Sequence, residues 1–295
     1  MKKILCIVLV LVLAAAAVFF GVQSNKANTL VEAAQTELAG VKAELEAAAA
    51  EIETVKAELE AAAAELEAAN AKIAEMEAAA SVMTYAEYAA AELDSEVVIE
   101  TYVQAKQGWW DNKATVYTQD EDGAYFLYDM ACSEEDYEKL TEGTKIKVTG
   151  YKAEWAGEVE IIDATFEIIE GNYVAEAMDV TALLGTEELI NHQNKKVSFK
   201  GMTVEPSVDA EGNEVAFLYN WDGSGAEGTD SDLYFNVSVN GQTYNFVVEY
   251  YLTGADSEVY QAVQALNIGD VIDMEGFLYW YEGVNPHITS VVAAA

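Results

Sequence analysis

Arginine is absent from this chain of 295 residues. All 15 of its basic residues are lysines, set against 52 acidic residues for a net charge of −37. Histidine, proline and cysteine occur twice each. Each scarcity excludes something. Nucleic-acid binding draws most of its affinity from Lys and Arg neutralising phosphates. A chain this acidic is therefore expected to have no nucleic-acid partner and to avoid anionic lipid headgroups. Residues 81–295 alone hold 9 of the lysines and 40 of the acids, a net −31. Cations, basic proteins and neutral ligands remain open to such a surface, and high net charge also keeps an exported protein dispersed. Cys6 lies in an apolar run and Cys132 stands alone in the C-terminal part, so a disulfide framework is excluded. Cys132 has no local nucleophile motif and reads as a small buried residue. His192 and His287 have no partner motif. A P-loop, a G-x-S-x-G elbow, an HExxH helix and a Cys/His zinc spacing are all missing, so the chain is not read as an enzyme. Acids are so frequent that no chosen carboxylate pair is informative.

What is there begins with Met1-Lys2-Lys3 and an apolar run from Ile4 to Val22 without a charge. That is close to the ~20 residues that span a bilayer core. The leading lysines place the N-terminus in the cytoplasm and the rest outside. The reading adopted is a retained single-pass anchor within residues 1–27, with the C-terminal head extracytoplasmic at the cell membrane. The alternative is a signal peptide cleaved near Val22-Gln23-Ser24, releasing a secreted protein.

Residues 28–80 read as a coiled-coil stalk. Val31, Leu38, Leu45, Ile52, Leu59, Leu66 and Ile73 form one apolar set; Ala34, Val41, Ala48, Val55, Ala62, Ala69 and Met76 form the other. The two alternate by 3 and 4 over seven heptads, and the stretch contains no proline. Glu37/Lys42, Glu51/Lys56 and Lys72/Glu77 fall at g and following e positions, which meet across a parallel interface. A parallel homo-oligomer is expected, the alternative being a lone Ala-rich helix held by propensity and i,i+4 pairs. About 50 residues at 1.5 Å each would make a rod of roughly 75 Å.

Composition changes at Ser81. Thr84 with Glu87 predicts a capped helix over 85–93. Strand patterns follow at 97–104, 113–119, 124–130, 144–152 and 158–169, with a short helix over 133–140 between the third and fourth. Five strands with a helix in that place is the order of an OB-fold barrel. The segments VYTQDEDGAYF (116–126) and LTEGTKIKVTG (140–150) resemble OB-like modules of exported bacterial proteins, in which tandem OB-like domains follow an N-terminal anchor and a coiled coil. The resemblance spans about residues 84–170 and implies a fold, not a reaction.

A second copy is visible. Leu140, Gly143, Gly150, Trp155 and Gly157 recur as Leu266, Gly269, Gly276, Tyr281 and Gly283, at a constant offset of 126. In this copy, residues 187–190 read as the opening helix, 196–204 as the first strand, 256–266 as a helix, and 270–278 and 287–292 as strands. Residues 220–232 form a Gly- and Asp-rich insert, followed by a hairpin of 233–239 and 242–250 across Asn240-Gly241. The expected fold class is an all-β head of two tandem OB-fold-like barrels, each with short helices. A long α-helical coiled-coil stalk and an apolar N-terminal helix precede it. The domains are 1–27, 28–80, 81–172 and 173–295.

OB-folds bind ligands on the face of strands 2 and 3, between the 1–2 and 4–5 loops. The candidate ligand residues there are Trp109, Trp110, Tyr117, Tyr125 and Trp155 in copy one, and Trp221, Tyr279, Trp280, Tyr281 and His287 in copy two. The alternative role for these aromatics is to close the barrel ends or pack the barrels together. Asp222, Glu227, Asp230 and Asp232 crowd one loop and are the only candidate Ca²⁺ ligands, although they lack EF-hand spacing. No other cofactor is expected. The function expected is a membrane-tethered, extracytoplasmic binding or adaptor protein for a neutral glycan, a peptide or an envelope protein. A structural envelope protein acting through its oligomeric stalk is the alternative, and a carboxylate-dependent hydrolase the second alternative.

Overall fold

The computed structural model describes residues 10–16, 25–79 and 82–294. The chain divides into two compact units, 1–80 and 81–295. In the first, residues 10–16 are helical and a single helix α1 spans Asn25–Ala79. Most of the expected apolar anchor, residues 4–9 and 17–22, lies outside the described residues. Among the described residues no helix is long and apolar enough to cross a membrane. Alanine, the best helix former, fills much of α1. Along its apolar line Leu45, Ile52, Leu59 and Leu66 are each more than 60% exposed.

The second unit begins with α2 (Tyr85–Ala90), shorter than the sequence suggested. The Thr84 side chain accepts from the Glu87 backbone N–H at 3.3 Å, while the Thr84 N–H donates to Glu87 Oε2 at 2.8 Å. This reciprocal cap satisfies two otherwise free backbone donors. Then follow β1 (Glu96–Lys106), β2 (Lys113–Gln119), β3 (Ala124–Ala131), α3 (Glu134–Lys139), β4 (Thr144–Trp155) and β5 (Glu158–Asn172). These strands close a barrel in the order β1-β2-β3-β5-β4, with β3 and β5 parallel. Its core is built on Val97, Ile99, Val116, Leu127, Ile146, Val148 and Ile161, all fully buried.

β6 (Met178–Asp179) and two 3₁₀ turns, Thr181–Leu183 and Leu189–His192, lead into the second barrel. The expected opening helix at 187–190 is thus a 3₁₀ turn, too short to form an α-helical ladder. β7 (Lys196–Glu205) is followed by a small hairpin of β8 (Ser207–Val208) and β9 (Glu214–Val215), and by β10 (Leu218–Tyr219). Next come β11 (Leu233–Val239) and β12 (Gln242–Val248), joined across Asn240 and Gly241. Both turn residues have positive φ, 54° and 79°, as a type I′ turn requires. α4 (Tyr250–Thr253), which was not expected, is followed after Gly254 at φ 78° by α5 (Glu258–Gln264), within the helix expected over 256–266. β13 (Val271–Phe277) and β14 (His287–Ala293) complete the set.

The pairings β7–β11, β11–β12, β12–β14, β14–β13 and β13–β7 close a second five-stranded ring, with β12 and β14 parallel. Strand for strand, this is the connectivity of the first. The 126-residue repeat has a structural cause in two glycine pairs. Gly143 and Gly269 both take φ near +90° and donate to β1 and β7 in turn, to Val103 O at 2.7 Å and Val204 O at 2.8 Å. Gly150 and Gly276 sit beside irregular steps of β4 and β13. There a Cβ would lie 2.7 Å from Ile161 Cγ2 and 2.2 Å from His287 O. Each barrel therefore carries one glycine for a positive-φ turn and one for close strand contact.

Candidate functional site

The outer face of β2 and β3, where an OB barrel holds ligand, is occupied from within the chain. Tyr117 of β2 and Phe126 of β3 pack against Phe277 of β13, with Tyr279, Leu252 and Ala105 around them. The Tyr117 and Phe277 rings stack at 4.4 Å. Polar groups are threaded through this contact. The Tyr117 hydroxyl lies 2.6 Å from His287 Nδ1, and Glu249 Oε2 lies 3.2 Å from the same nitrogen. Gln107 Nε2 donates to the other Glu249 oxygen at 2.7 Å, and Tyr279 stacks on the His287 ring at 4.3 Å. Burial, then the Glu249 charge, pushes the Tyr117 phenol well above its ordinary value, so it stays a neutral donor.

A second inter-barrel junction sits at the β4–β5 turn. Gln193 Nε2 donates to Gly157 O at 2.7 Å, and Gln193 Oε1 accepts from Val159 N at 3.1 Å. Asn194 Nδ2 donates to Val159 O at 3.0 Å. Between them lies Glu158, fully buried, whose Oε2 accepts from the Trp280 backbone N–H at 2.9 Å. Burial pushes its carboxyl up to about 9, against hydrogen bonds from Asn194 and Trp280 and with help from the Glu160 charge. At neutral pH it is a neutral acid and a donor. Glu158 Oε1 and Asn194 Oδ1 are both buried without an acceptor's partner.

The candidate residues divide by this arrangement. Tyr117 and His287 are locked in the inter-barrel contact, and Tyr279 packs against it. Tyr125 points into the first barrel's core, where its ring meets Tyr88 at 4.9 Å. Trp109 is half-buried, its Nε1 donating to Cys132 O at 3.0 Å, and Trp280 lies against Gly157. These six serve packing in this structure. The other four are open to solvent: Trp110 at 73%, Trp155 at 63%, Trp221 at 75% and Tyr281 at 52% exposed. No ring contact engages any of these four among the described residues.

Two of them come together. The β4–β5 turn of the first barrel and its counterpart before β14 meet directly, with Glu282 N donating to Ala156 O at 2.7 Å. Trp155 and Tyr281 each precede one of these linked residues. Sequence reasoning missed Gln107, Glu158, Gln193, Asn194 and Glu249. A carboxylate opening a strand, as in Gly157-Glu158-Val159, resembles any solvated turn residue; only its partner from residue 280 makes it special.

The acidic insert does not gather into a cage. Asp222 accepts from Ser224 N at 3.0 Å, Asp232 accepts from Tyr250 N at 2.7 Å, Asp230 pairs with the Tyr250 hydroxyl, and Glu227 is exposed. Among the described residues no group of three or more His, Cys, Asp or Glu side chains is arranged to hold a metal ion. In the second barrel, Asp232 and Glu249 are engaged by Tyr250, Gln107 and His287 rather than paired across a cleft.

No family model and no curated protein matches the chain. Solved structures similar to it include an Ifi202 HINa domain in complex with a 20-base-pair double-stranded DNA, 11% identical, covering 68% of this chain and all of that one, TM-score 0.31. Another is a p202 HIN1 domain with a 12-mer double-stranded DNA, 12% identical, covering 68% and 94%, TM-score 0.32. A third is a deletion mutant of the single-stranded DNA binding protein from Thermus aquaticus, 13% identical, covering 68% and 94%, TM-score 0.23. These descriptions correct the expectation that the chain has no nucleic-acid partner. Net charge is a property of the whole molecule and does not decide what a local surface holds, and that exclusion is withdrawn. At these identities and TM-scores the likeness carries no argument about this chain, whose own strand pairings show two five-stranded, OB-like barrels with few helices, and whose first unit holds one long helix.

Proposed function

We propose that the chain is a membrane-tethered, extracytoplasmic binding or adaptor module without catalytic chemistry, its ligand a neutral glycan, a peptide or an envelope protein. One observation carries this reading. Three of the five tryptophans, Trp110, Trp155 and Trp221, are more than 60% exposed. Tryptophan is highly buried on average, and exposed indoles mark the contacts that dominate interfaces. Burying roughly 150 Å² of one indole on a partner is worth on the order of 4 kcal/mol at ~25 cal/mol/Å². The inter-barrel networks supply the rigid support that such loops need. The test is a screen of the full chain on glycan and peptide arrays and against purified envelope proteins, beside a variant with Trp110, Trp155 and Trp221 changed to Ala. The reading expects specific binding that the triple variant loses. Binding that is absent throughout, or unchanged in the variant, refutes it.

A second reading has its own observation. The uncovered apolar line of α1 favours a structural envelope protein working through an oligomeric coiled coil. The g positions of that helix are Glu37, Glu44, Glu51, Glu58, Glu65 and Lys72. An antiparallel pair would set Glu against Glu along these g rows, whereas the parallel pair matches Glu37 to Lys42, Glu51 to Lys56 and Lys72 to Glu77.

A further inference from the structure

The β4–β5 turn and its linked counterpart before β14 occupy equivalent places in the two barrels. Trp155-Ala156-Gly157 and Tyr281-Glu282-Gly283 stand 126 positions apart. Ala156 and Glu282 take nearly the same positive φ, 51° and 53°. Trp155 pairs with Glu158 to close the first tip, and Trp280 bridges Val284 to close the second. The Glu282 N–H to Ala156 O bond then holds tip against tip. Trp280 fills the space above Gly157, and Glu158 and Gln193 anchor the base. The result is a rigid ledge bearing one exposed aromatic at the same place on each half.

The charges around the ledge indicate what it would take. Glu154 and Glu282, next in sequence to the two aromatics, are both exposed. Residues 153–158 and 279–284 contain no lysine. Eight of the nine lysines of residues 81–295 are engaged within the chain: Lys106, Lys113, Lys139, Lys145, Lys152, Lys195, Lys196 and Lys200. With 40 acids against 9 lysines in residues 81–295, the charge that a partner meets is predominantly carboxylate. An aromatic face attracts cations through its quadrupole, and a carboxylate beside it adds a direct ion pair. Two such units in tandem suit a ligand that presents two cations in succession.

Resting on the binding-module reading, we propose that the twin tips capture a Lys- or Arg-bearing peptide segment. Trp155 and Tyr281 each receive a cationic side chain, and the acidic surface of the head supplies the counter-charge. The surrounding negative field steers the encounter and makes it salt-dependent.

The experiment titrates the full chain with a short Lys–Ala peptide, a Glu–Ala peptide of equal length, a neutral oligosaccharide and a single-stranded oligonucleotide. Tryptophan fluorescence and calorimetry are the readouts. The Lys–Ala peptide is expected to bind and to weaken as salt is raised. The W155A/Y281A double variant should weaken it by about tenfold, the loss of two exposed cation–π contacts. W155F/Y281F, which keeps both faces, should bind like the parent and guards against misfolding as the cause. Unaltered Lys–Ala binding in W155A/Y281A overturns the inference. So does tip-dependent binding of the oligosaccharide or the oligonucleotide in place of the cationic peptide, although the binding-module reading then survives. Failure of the arrays described above would overturn that broader reading instead.

Discussion

Glu158→Gln should make the protein more stable at neutral pH, and the gain should vanish in acid. The buried carboxyl is raised from 4.5 to about 9. The unfolded chain ionises it near its ordinary value, so between these two limits the folded state holds one proton more. Folding stability from this group is therefore complete below about pH 4.5 and falls as pH rises towards 9. At pH 7 the loss already amounts to ~2.5 pH units at ~1.36 kcal/mol each, on the order of 3 kcal/mol. The groups whose charges reach Glu158 are Glu160 and the Tyr88, Tyr117 and Tyr279 phenols, none of them a cation that would oppose the shift. Glutamine has the shape of the neutral acid. Its oxygen can accept from Trp280 N–H, and its amide carries no charge to desolvate. Urea denaturation of parent and variant at pH 5 and pH 7 isolates this group from the other carboxyls, which titrate alike in both. The difference should be small at pH 5 and about 3 kcal/mol at pH 7, or roughly 6–12 °C in Tm for a unit of this size. A variant no more stable than the parent at pH 7, or one with the same offset at both pH values, would refute the reasoning.

Other perturbations test other links. Tyr117→Phe removes the buried hydrogen bond at 2.6 Å to His287 Nδ1 and leaves that nitrogen to Glu249 Oε2 at 3.2 Å, a loss of about 1 kcal/mol readable by urea titration. Gly276→Ala would drive a Cβ to 2.2 Å from His287 O. It should destabilise by at least ~2 kcal/mol in thermal melts, while an equal or higher Tm would contradict the close strand approach. Leu45→Glu and Ile52→Glu in α1, where both side chains are exposed in the single chain, should convert a parallel oligomer to monomer in sedimentation equilibrium. If the parent is itself monomeric, the coiled-coil reading fails.

Local pattern was enough for the strands. Alternation and turn chemistry placed Lys113–Gln119 to the residue, and Asn240-Gly241 announced its hairpin. Propensity misplaced the short helices, because a one-turn helix is decided by its caps and neighbours rather than by its own sequence. The segment from Asp256 to Leu266 loses its first residues to a turn, and residues 187–190 tighten to 3₁₀ geometry. For the site, the sequence located the aromatics but not their exposure. Tyr117 and Tyr125 look alike on adjacent strands, yet one faces the second barrel and the other the core of the first. Trp155 and Trp109 look alike in loops, yet one is open and the other is tied to the Cys132 carbonyl.

What the sequence determined by itself was whatever depends on neighbours along the chain: the heptads of α1, the strand order, and the 126-residue repeat with its glycines. The absence of arginine and the excess of acid were equally plain from the start, but they described only the whole. The tertiary structure decided which lysines meet carboxylates, as Lys113, Lys139, Lys145, Lys196 and Lys200 do. It also decided which aromatics remain free, by folding one barrel's binding face onto the other. Those outcomes depend on residues more than 100 positions apart, Tyr117 with His287 and Glu158 with Trp280. No local pattern records such a meeting, because burial and desolvation act on whatever the fold brings together.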